Sequence, residues 1–279
     1  MPGTSKKKKL IIHILLILIC LCFLYPIIIM LLGSFKTQVE LSNNPAGLPS
    51  SFNLQNYINV FRHKDGLLVK GFFNSVYISV VTVVITLFLS ALAAFAFAKF
   101  RFKGRNLIFA LLMATMMIPG EVTMTPLYLM MSKVGLLNTY AIQILPSVAN
   151  VFAMFMLRQY MLTIPDEIIQ AARIDGASDW QTFIKIIIPT STPVLSALGI
   201  LVFLQKWNDY LWPNIMMRTE EKLPILNLIP RLSEGTSVIT PSWHLILTGC
   251  VVATLPLIIV FCIFQKSFMA SVVLGSVKE

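Results

Sequence analysis

At 279 residues, with 57% hydrophobic and only 12% charged side chains, the chain is far more apolar than a soluble domain, where roughly 45–50% apolar is usual, and its mean hydropathy of +0.80 implies an integral membrane protein. The net charge of +10 would suit nucleic acid, but the lysines and arginines flank apolar runs, where membrane topology accounts for them, so no nucleic-acid partner is expected. Cys20, Cys22, Cys250 and Cys262 all lie inside apolar runs without ligand spacing, which implies neither a disulfide framework nor a zinc site.

Lys6 to Lys9 precede an uncharged run from Leu10 to Leu32, enough for about 30 Å of helix. The run is too long for a signal peptide and lacks a small-x-small cleavage site, so an uncleaved first span is expected, with residues 1–9 inside. Lys36 to Lys70 reads as an external loop with some structure. Phe72 to Ala98 is the second span, closed by Lys99, Arg101, Lys103 and Arg105, a positive cluster that marks the cytoplasm. Leu107 to Met131 is the third, interrupted in its outer half by Pro119-Gly120-Glu121 and Pro126. An acid at membrane depth is costly, so Glu121 is expected to face protein or a water-filled cavity.

Tyr140 to Leu157 forms the fourth span, with Pro146 inside it and Arg158 at its inner end; Thr190 to Pro213 forms the fifth, carrying Gln205, Lys206, Asn208 and Asp209 in its far half. Arg218 to Ser242 is a second external loop, His244 to Phe264 the sixth span, and Gln265 to Glu279 an inner tail. The expected fold is an all-α integral membrane protein of six transmembrane helices, residues 10–279 forming one transmembrane domain with both termini cytoplasmic. That topology places most of the 22 lysines and arginines inside, as the positive-inside rule requires.

Between spans four and five, residues 163–189 form the longest polar, helix-patterned segment. Pro165 suits a first helical turn, and Asp166 and Glu167 sit where the helix dipole favours negative charge. Ile168, Ala171 and Ala172 share a face, and Asp175-Gly176 is a stop signal. Ser178 and Gln181 have capping-box spacing, and Trp180, Phe183, Ile184 and Ile187 repeat at helical intervals until Pro189 ends the pattern. Small residues at Ala171, Ala172, Gly176 and Ala177 would let another protein approach the backbone closely. The pattern alone leaves open a docking knob or an amphipathic loop lying on headgroups.

No Gly-Lys dipeptide occurs, so the phosphate cradle of an ATPase is absent, and His13, His63 and His244 stand alone. The run Trp207-Asn208-Asp209-Tyr210-Leu211-Trp212-Pro213 joins aromatic faces, which stack on sugar rings, to groups that bind hydroxyls; an aromatic belt at the outer interface is the other reading. Asp209 and Lys206 have the spacing of an i, i+3 pair.

The loop resembles the EAA loop of binding-protein-dependent ABC importer permeases, whose pattern is Glu-Ala-Ala, three residues, Gly, about nine residues, Ile-x-Leu-Pro. Here it reads Gln170-Ala171-Ala172, Gly176 and Ile186-Ile187-Ile188-Pro189, with Gln170 in place of Glu and Ile188 in place of Leu. The Trp207–Pro213 run, the second span from Asn74-Ser75 to Phe102-Lys103-Gly104-Arg105, and the ending Gly275-Ser276-Val277-Lys278-Glu279 are similar to carbohydrate permeases of the maltose type. The resemblance implies a cell-membrane, multi-pass, non-catalytic permease subunit that moves a sugar or oligosaccharide inward. Its partners would be a second permease subunit, an ATPase dimer that binds ATP and Mg, and an extracytoplasmic sugar-binding protein, with no cofactor in this chain. Gln170, Ala171, Ala172, Asp175, Gly176 and Ala177 would couple to the ATPase; Trp207, Asn208, Asp209, Tyr210 and the intramembrane Glu121 would line the substrate pathway. The tail would approach the ATPase, and the Arg218–Ser242 loop would face the binding protein. A permease for a non-sugar solute and an ion-coupled transporter are the alternative readings.

Overall fold

The structure, a computed structural model, describes residues 6–233 and 241–276, with side chains from 8 to 263; residues 277–279 of the expected tail and 234–240 of the second external loop lie outside the described residues. Among the described residues all regular structure is helical, as the apolar runs require in a medium where every backbone group must find an internal partner. Among the described residues three single helices are long and apolar enough to cross a bilayer: α1 (Lys6–Gly33), α4 (Leu67–Lys99) and α15 (Trp243–Ser276). Between α1 and α4 lie two short helices, α2 (Gln38–Asn43) and α3 (Gln55–Arg62). The chain is a multi-pass membrane protein.

The remaining apolar runs are bent. The expected third span is two helices, α5 (Arg105–Thr115) and α6 (Gly120–Lys133), at 97° to each other. Pro119, with no N–H to continue the ladder, caps α6 from outside. The fourth is α7 (Tyr140–Val148) and α8 (Val151–Leu162), bent by 40° where the Asn150 side chain accepts from the Ala153 N–H and caps α8. After α9 (Asp166–Ile174), α10 (Asp179–Thr182) and the short α11 (Ile188–Thr190), the chain turns by 76° at Ser191 into α12 (Thr192–Trp207). The helix thus ends one residue after Pro189, close to where the sequence pattern stops. A widened turn of π type over Phe183–Ile187 absorbs the missing N–H, and the Thr190 and Thr192 hydroxyls donate to the Ile186 and Pro189 carbonyls. The expected fifth span stops early, at Trp207: Asn208 to Tyr210 are irregular before α13 (Leu211–Met216) and α14 (Ile225–Leu228). The last helix runs past Phe264 to Ser276 rather than ending there.

The chain divides into two compact units, residues 1–69 with 228–255, and residues 70–227 with 256–279. In the first, α1 ends in a polar hub. The Asn56 amide donates to the Ser34 and Lys36 carbonyls, both at 2.8 Å, the Ser34 and Tyr57 hydroxyls meet at 2.8 Å, and the Thr248 hydroxyl also donates to the Ser34 carbonyl. Lys36 is fully buried, its ammonium donating to the Asn44 and Gly47 carbonyls at 2.6 Å and to the Pro45 carbonyl at 3.3 Å. The Thr37 hydroxyl caps α2, and Glu40 reaches across to the Ser50 N–H, which pulls its carboxyl below the usual range. The expected external loop is thus folded around one ammonium.

In the second unit, α4 presents Ala91, Ala94, Phe95 and Ala98 to Ala153, Met154, Leu157 and Met161 of α8, with Phe183, Ile187 and Leu198 completing the core. Small residues on α4 let the helices approach closely, the usual basis of helix association where no water drives it. A second buried row on α4, Ser75, Ser79, Thr82, Thr86 and Ser90, repeats every three or four residues; Thr86 and Ser90 donate to the Ser147 and Asn150 carbonyls at the α7–α8 bend.

Because Lys36 fills carbonyls for which no other donor is found among the described residues, Lys36→Met should lower the unfolding free energy by on the order of 3 kcal/mol and expose residues 44–50. Hydrogen exchange mass spectrometry in detergent would show the change; unchanged protection of that segment would refute the anchor.

Candidate functional site

Residues 163–189 form a compact projection. α9 starts after Pro165 and turns Ile169 and Ala172 inward, 5% and 7% exposed. The expected face of Ile168, Ala171 and Ala172 is therefore split: Ile168 and Ala171 point outward with Gln170, Ile174, Asp175 and Gly176. Six outward positions, three of them apolar, make a surface with no partner among the described residues. The helix closes in a Schellman motif, the Ala177 N–H reaching the Ala172 carbonyl at 2.9 Å and the Gly176 N–H the Arg173 carbonyl at 3.1 Å. Gly176 sits at φ +80°, the left-handed conformation that glycine enters without penalty, and a Cβ there would meet nothing within 4 Å. The capping box forms as spaced, Ser178 accepting from the Gln181 N–H while the Gln181 side chain accepts from the Ser178 N–H. Arg173 pairs with Asp179 across the turn at 2.9 Å.

The base of the projection is tied to α4 twice. The Lys99 ammonium, its side chain 5% exposed, donates at 2.6 Å to both the Ile164 carbonyl and the Asp166 carboxylate. That hydrogen bond, with the positive charges of Lys99 and then Arg101, holds the Asp166 carboxyl below its ordinary range. Phe183, 1% exposed, lies among Phe88, Phe95 and Trp180 with ring centroids 5.5 to 6.4 Å apart, and Arg173 rests over the Phe100 ring at 5.8 Å. The second expected face is split too: Phe183 and Ile187 are core, while Trp180 and Ile184 stay 54% and 41% exposed.

A second feature lies where the helix breaks meet. A cavity of about 410 Å³ is bounded by Gly120, Glu121, Thr123 and Met124 of α6, Pro146, Ser147 and Asn150 at the α7–α8 bend, and Gln205, Lys206, Asp209 and Trp212 at the end of α12 and beyond. Lys206, 7% exposed, donates to Asp209 at 2.9 Å and to the Ser147 hydroxyl at 3.3 Å. The other Asp209 oxygen accepts from the Trp212 N–H, and the Trp212 indole donates to the Ile142 carbonyl at 2.9 Å. Glu121 is exposed on the opposite wall with no hydrogen bond or ion pair among the described residues.

Of the residues expected along a pathway, Glu121 and Asp209 come together here and the Lys206–Asp209 pair forms, but Trp207, Asn208 and Tyr210 are not part of the lining. Trp207 is 1% exposed, stacked on Phe203 at 5.5 Å and edge-on to Phe72 at 6.0 Å. It is a packing residue rather than a member of an exposed belt. Ser147, Asn150, Thr123 and Gln205 were not singled out as pathway residues; their sequence signal is a polar side chain inside an apolar run. No group of three or more metal-ligating side chains occurs among the described residues.

Over residues 86–273 the chain matches the family described as binding-protein-dependent transport system inner membrane component. It is 38% identical over 262 residues to an arabinooligosaccharides transport system permease protein of Halalkalibacterium halodurans, with 91% of each chain covered. Identity is 33% over 255 residues to a lactose transport system permease protein of Rhizobium radiobacter, again covering 91% of each. Among solved structures it resembles a chain of a bacterial ABC transporter involved in the import of the acidic polysaccharide alginate, with a TM-score of 0.85 and 27% identity over 96% of this chain and 100% of that one. The matched stretch contains the projection, its anchor on α4 and every wall of the cavity, and the chain belongs to the family of binding-protein-dependent transport system inner membrane components.

Proposed function

We propose that this chain is one of two transmembrane subunits of an ATP-driven importer in the cell membrane that carries a sugar or oligosaccharide inward. A separate ATPase pair would bind ATP and Mg, and an extracytoplasmic binding protein would deliver the cargo. Residues 10–279 form one transmembrane domain, each bent helix pair counting as one span, so that six spans leave both termini and the 163–189 loop on the ATPase side. The carbohydrate cargo is inferred from relatives named for arabinooligosaccharides and lactose and a structural neighbour that imports alginate.

The observation that carries the coupling role is the contrast between the two ends of the loop: an exposed apex of Gln170, Ala171, Asp175 and Gly176 on a base fixed by Lys99 and Phe183. A lever needs that contrast, since a two-state change requires contacts that differ between states and a body stiff enough to pass them on. The apex enters a groove on the ATPase, and closure of the ATPase pair swings α4 and α12. Ala172, turned inward, supports the apex instead of touching the partner, and Ala177 serves through its N–H. Gln170 keeps hydrogen-bonding capacity without the charge of glutamate. Family membership weighs against ion-coupled transport.

Affinity purification of the chain from native membranes tests the assembly. Recovery of an ATPase and a second multi-span chain supports the reading, and recovery of this chain alone under conditions that preserve known complexes ends it. Within that assembly, Gly176→Asn keeps a residue that tolerates the left-handed conformation while adding bulk where this chain itself has room. ATP-dependent uptake should fall about tenfold, the effect of losing about 1.4 kcal/mol at an interface, with membrane insertion unchanged; normal uptake would remove Gly176 from the contact. Lys99→Met should uncouple ATP hydrolysis from uptake more than Asp166→Asn, because the Ile164 carbonyl still holds Lys99 in the second variant. The reverse order would place the coupling elsewhere. The Lys99–Asp166 link has a set pH window. Asp166 is depressed in the folded state, so its contribution is complete above the ordinary carboxylate range and disappears only as pH falls through the lower folded value. Loop protection measured by hydrogen exchange should therefore be flat from neutral to mildly acid conditions.

A further inference from the structure

We propose that the cavity between α6, the α7–α8 bend and the end of α12 is a cargo subsite that selects uncharged polyhydroxylated ligands and rejects anionic sugars, with Asp209 as the selecting residue. The inference rests on the importer reading and deepens it, because relatives and neighbours of this chain serve both neutral and acidic carbohydrates.

The argument is one of charge and donors. The lining holds two carboxylates, Glu121 and Asp209, and one ammonium, Lys206, which is paired with Asp209 beside it, leaving one formal negative charge in excess. Among the described residues Lys206 is the one cation in the lining, and it is already engaged, donating to Asp209 at 2.9 Å and to Ser147 at 3.3 Å. An entering uronate or phosphate would meet the unpaired Glu121 carboxylate and would have to displace Asp209 to reach a counter-charge, in a site whose walls are partly apolar and where repulsion is weakly screened. Hydroxyls fare differently. Thr123, Ser147, Asn150 and Gln205 offer neutral donors and acceptors, and Glu121 offers an acceptor-only group, while Trp212, Leu127, Val202 and Leu211 supply the apolar faces that a sugar ring covers. About 410 Å³ falls in the range of small-molecule sites, roughly 300–1,000 Å³.

Asp209 is the residue to change, because its loss has two effects of one sign: it removes a negative charge and it frees the ammonium beside it. The test uses the complete transporter in lipid nanodiscs without its binding protein. Binding is read from tryptophan fluorescence, to which Trp212 in the cavity wall contributes. The neutral probes are lactose, arabinotriose and maltotriose; the anionic probe is digalacturonate, at low ionic strength. Wild type should bind at least one neutral probe about tenfold or more tightly than digalacturonate. Asp209→Asn should narrow that ratio by about tenfold, mainly by tightening digalacturonate, and added salt should erase the gain. Glu121→Gln, at an exposed position without a partner, should shift the ratio in the same direction even if Asp209→Asn fails to fold. Equal binding of both kinds of probe by wild type, or an unchanged ratio in both variants, overturns the proposal. So does the absence of binding by any probe; the importer reading would then stand or fall on the purified assembly, which does not depend on this cavity.

Discussion

A loop can move helices only if it cannot bend at its own root, and in this chain the root is made stiff by one side chain. Lys99, the last residue of α4, reaches the Ile164 carbonyl and the Asp166 carboxylate at the same 2.6 Å, closing the path from the end of α8 into α9. The ammonium is almost out of solvent and would be left without partners if it were released, while the Asp166 side chain stays 72% exposed, so the cost of breaking the link falls on Lys99. The aromatic cluster around Phe183 fixes the other strand of the projection to the same helix. Both ends of the loop therefore report to α4, which also carries the small-residue face against α8. Displacing the apex without moving α4 would require breaking one of these contacts.

The cavity arises from interruptions of the helices. Pro119 starts α6 abruptly, Asn150 caps α8 after a 40° bend, and α12 ends at Trp207. At each break the helix gives up backbone hydrogen bonds, and at two of the three a polar side chain meets a freed group: Asn150 takes the Ala153 N–H and Asp209 the Trp212 N–H, while α6 starts without a side-chain cap. Non-helical backbone at membrane depth is tolerated where it lines protein or a polar space, so the breaks and the cavity are one feature seen twice.

Sequence periodicity and punctuation recovered the helical class, the turn at Gly176 and the capping box at Ser178, because each is set by local chemistry: a stop signal, a left-handed residue, a serine three before a glutamine. What escaped was set by tertiary context. Which side of α9 is buried depends on where α4 lies, so Ile169 and not Ile168 turns inward. The run through Pro189 reads as a stop, and the helix does end one residue later, at Thr190; but of the four positions read as one face, Phe183 and Ile187 are buried while Trp180 and Ile184 stay exposed. The aromatic run at Trp207 was legible as chemistry but not as geometry. Its first tryptophan packs inward while its last one, Trp212, joins Asp209 at the cavity, since the helix ends between them.

Three lysines are nearly buried among the described residues, and each is resolved by different neighbours. Lys36 at 0% exposure is met by three carbonyls, which neutralise nothing but fill every donor, so it organises backbone. Lys99 takes one carbonyl and one carboxylate and ties two elements together. Lys206 takes a carboxylate and a hydroxyl, and of the three it alone belongs to the lining of the polar cavity. A lysine there with no acid beside it would present a desolvated positive charge and draw anions into the site; paired with Asp209 it becomes a dipole, with two of its three donors taken by Asp209 and Ser147. The same i, i+3 spacing that a sequence offers as routine helix pairing thus sets, at a helix end facing a cavity, the sign of the charge that a passing solute would meet.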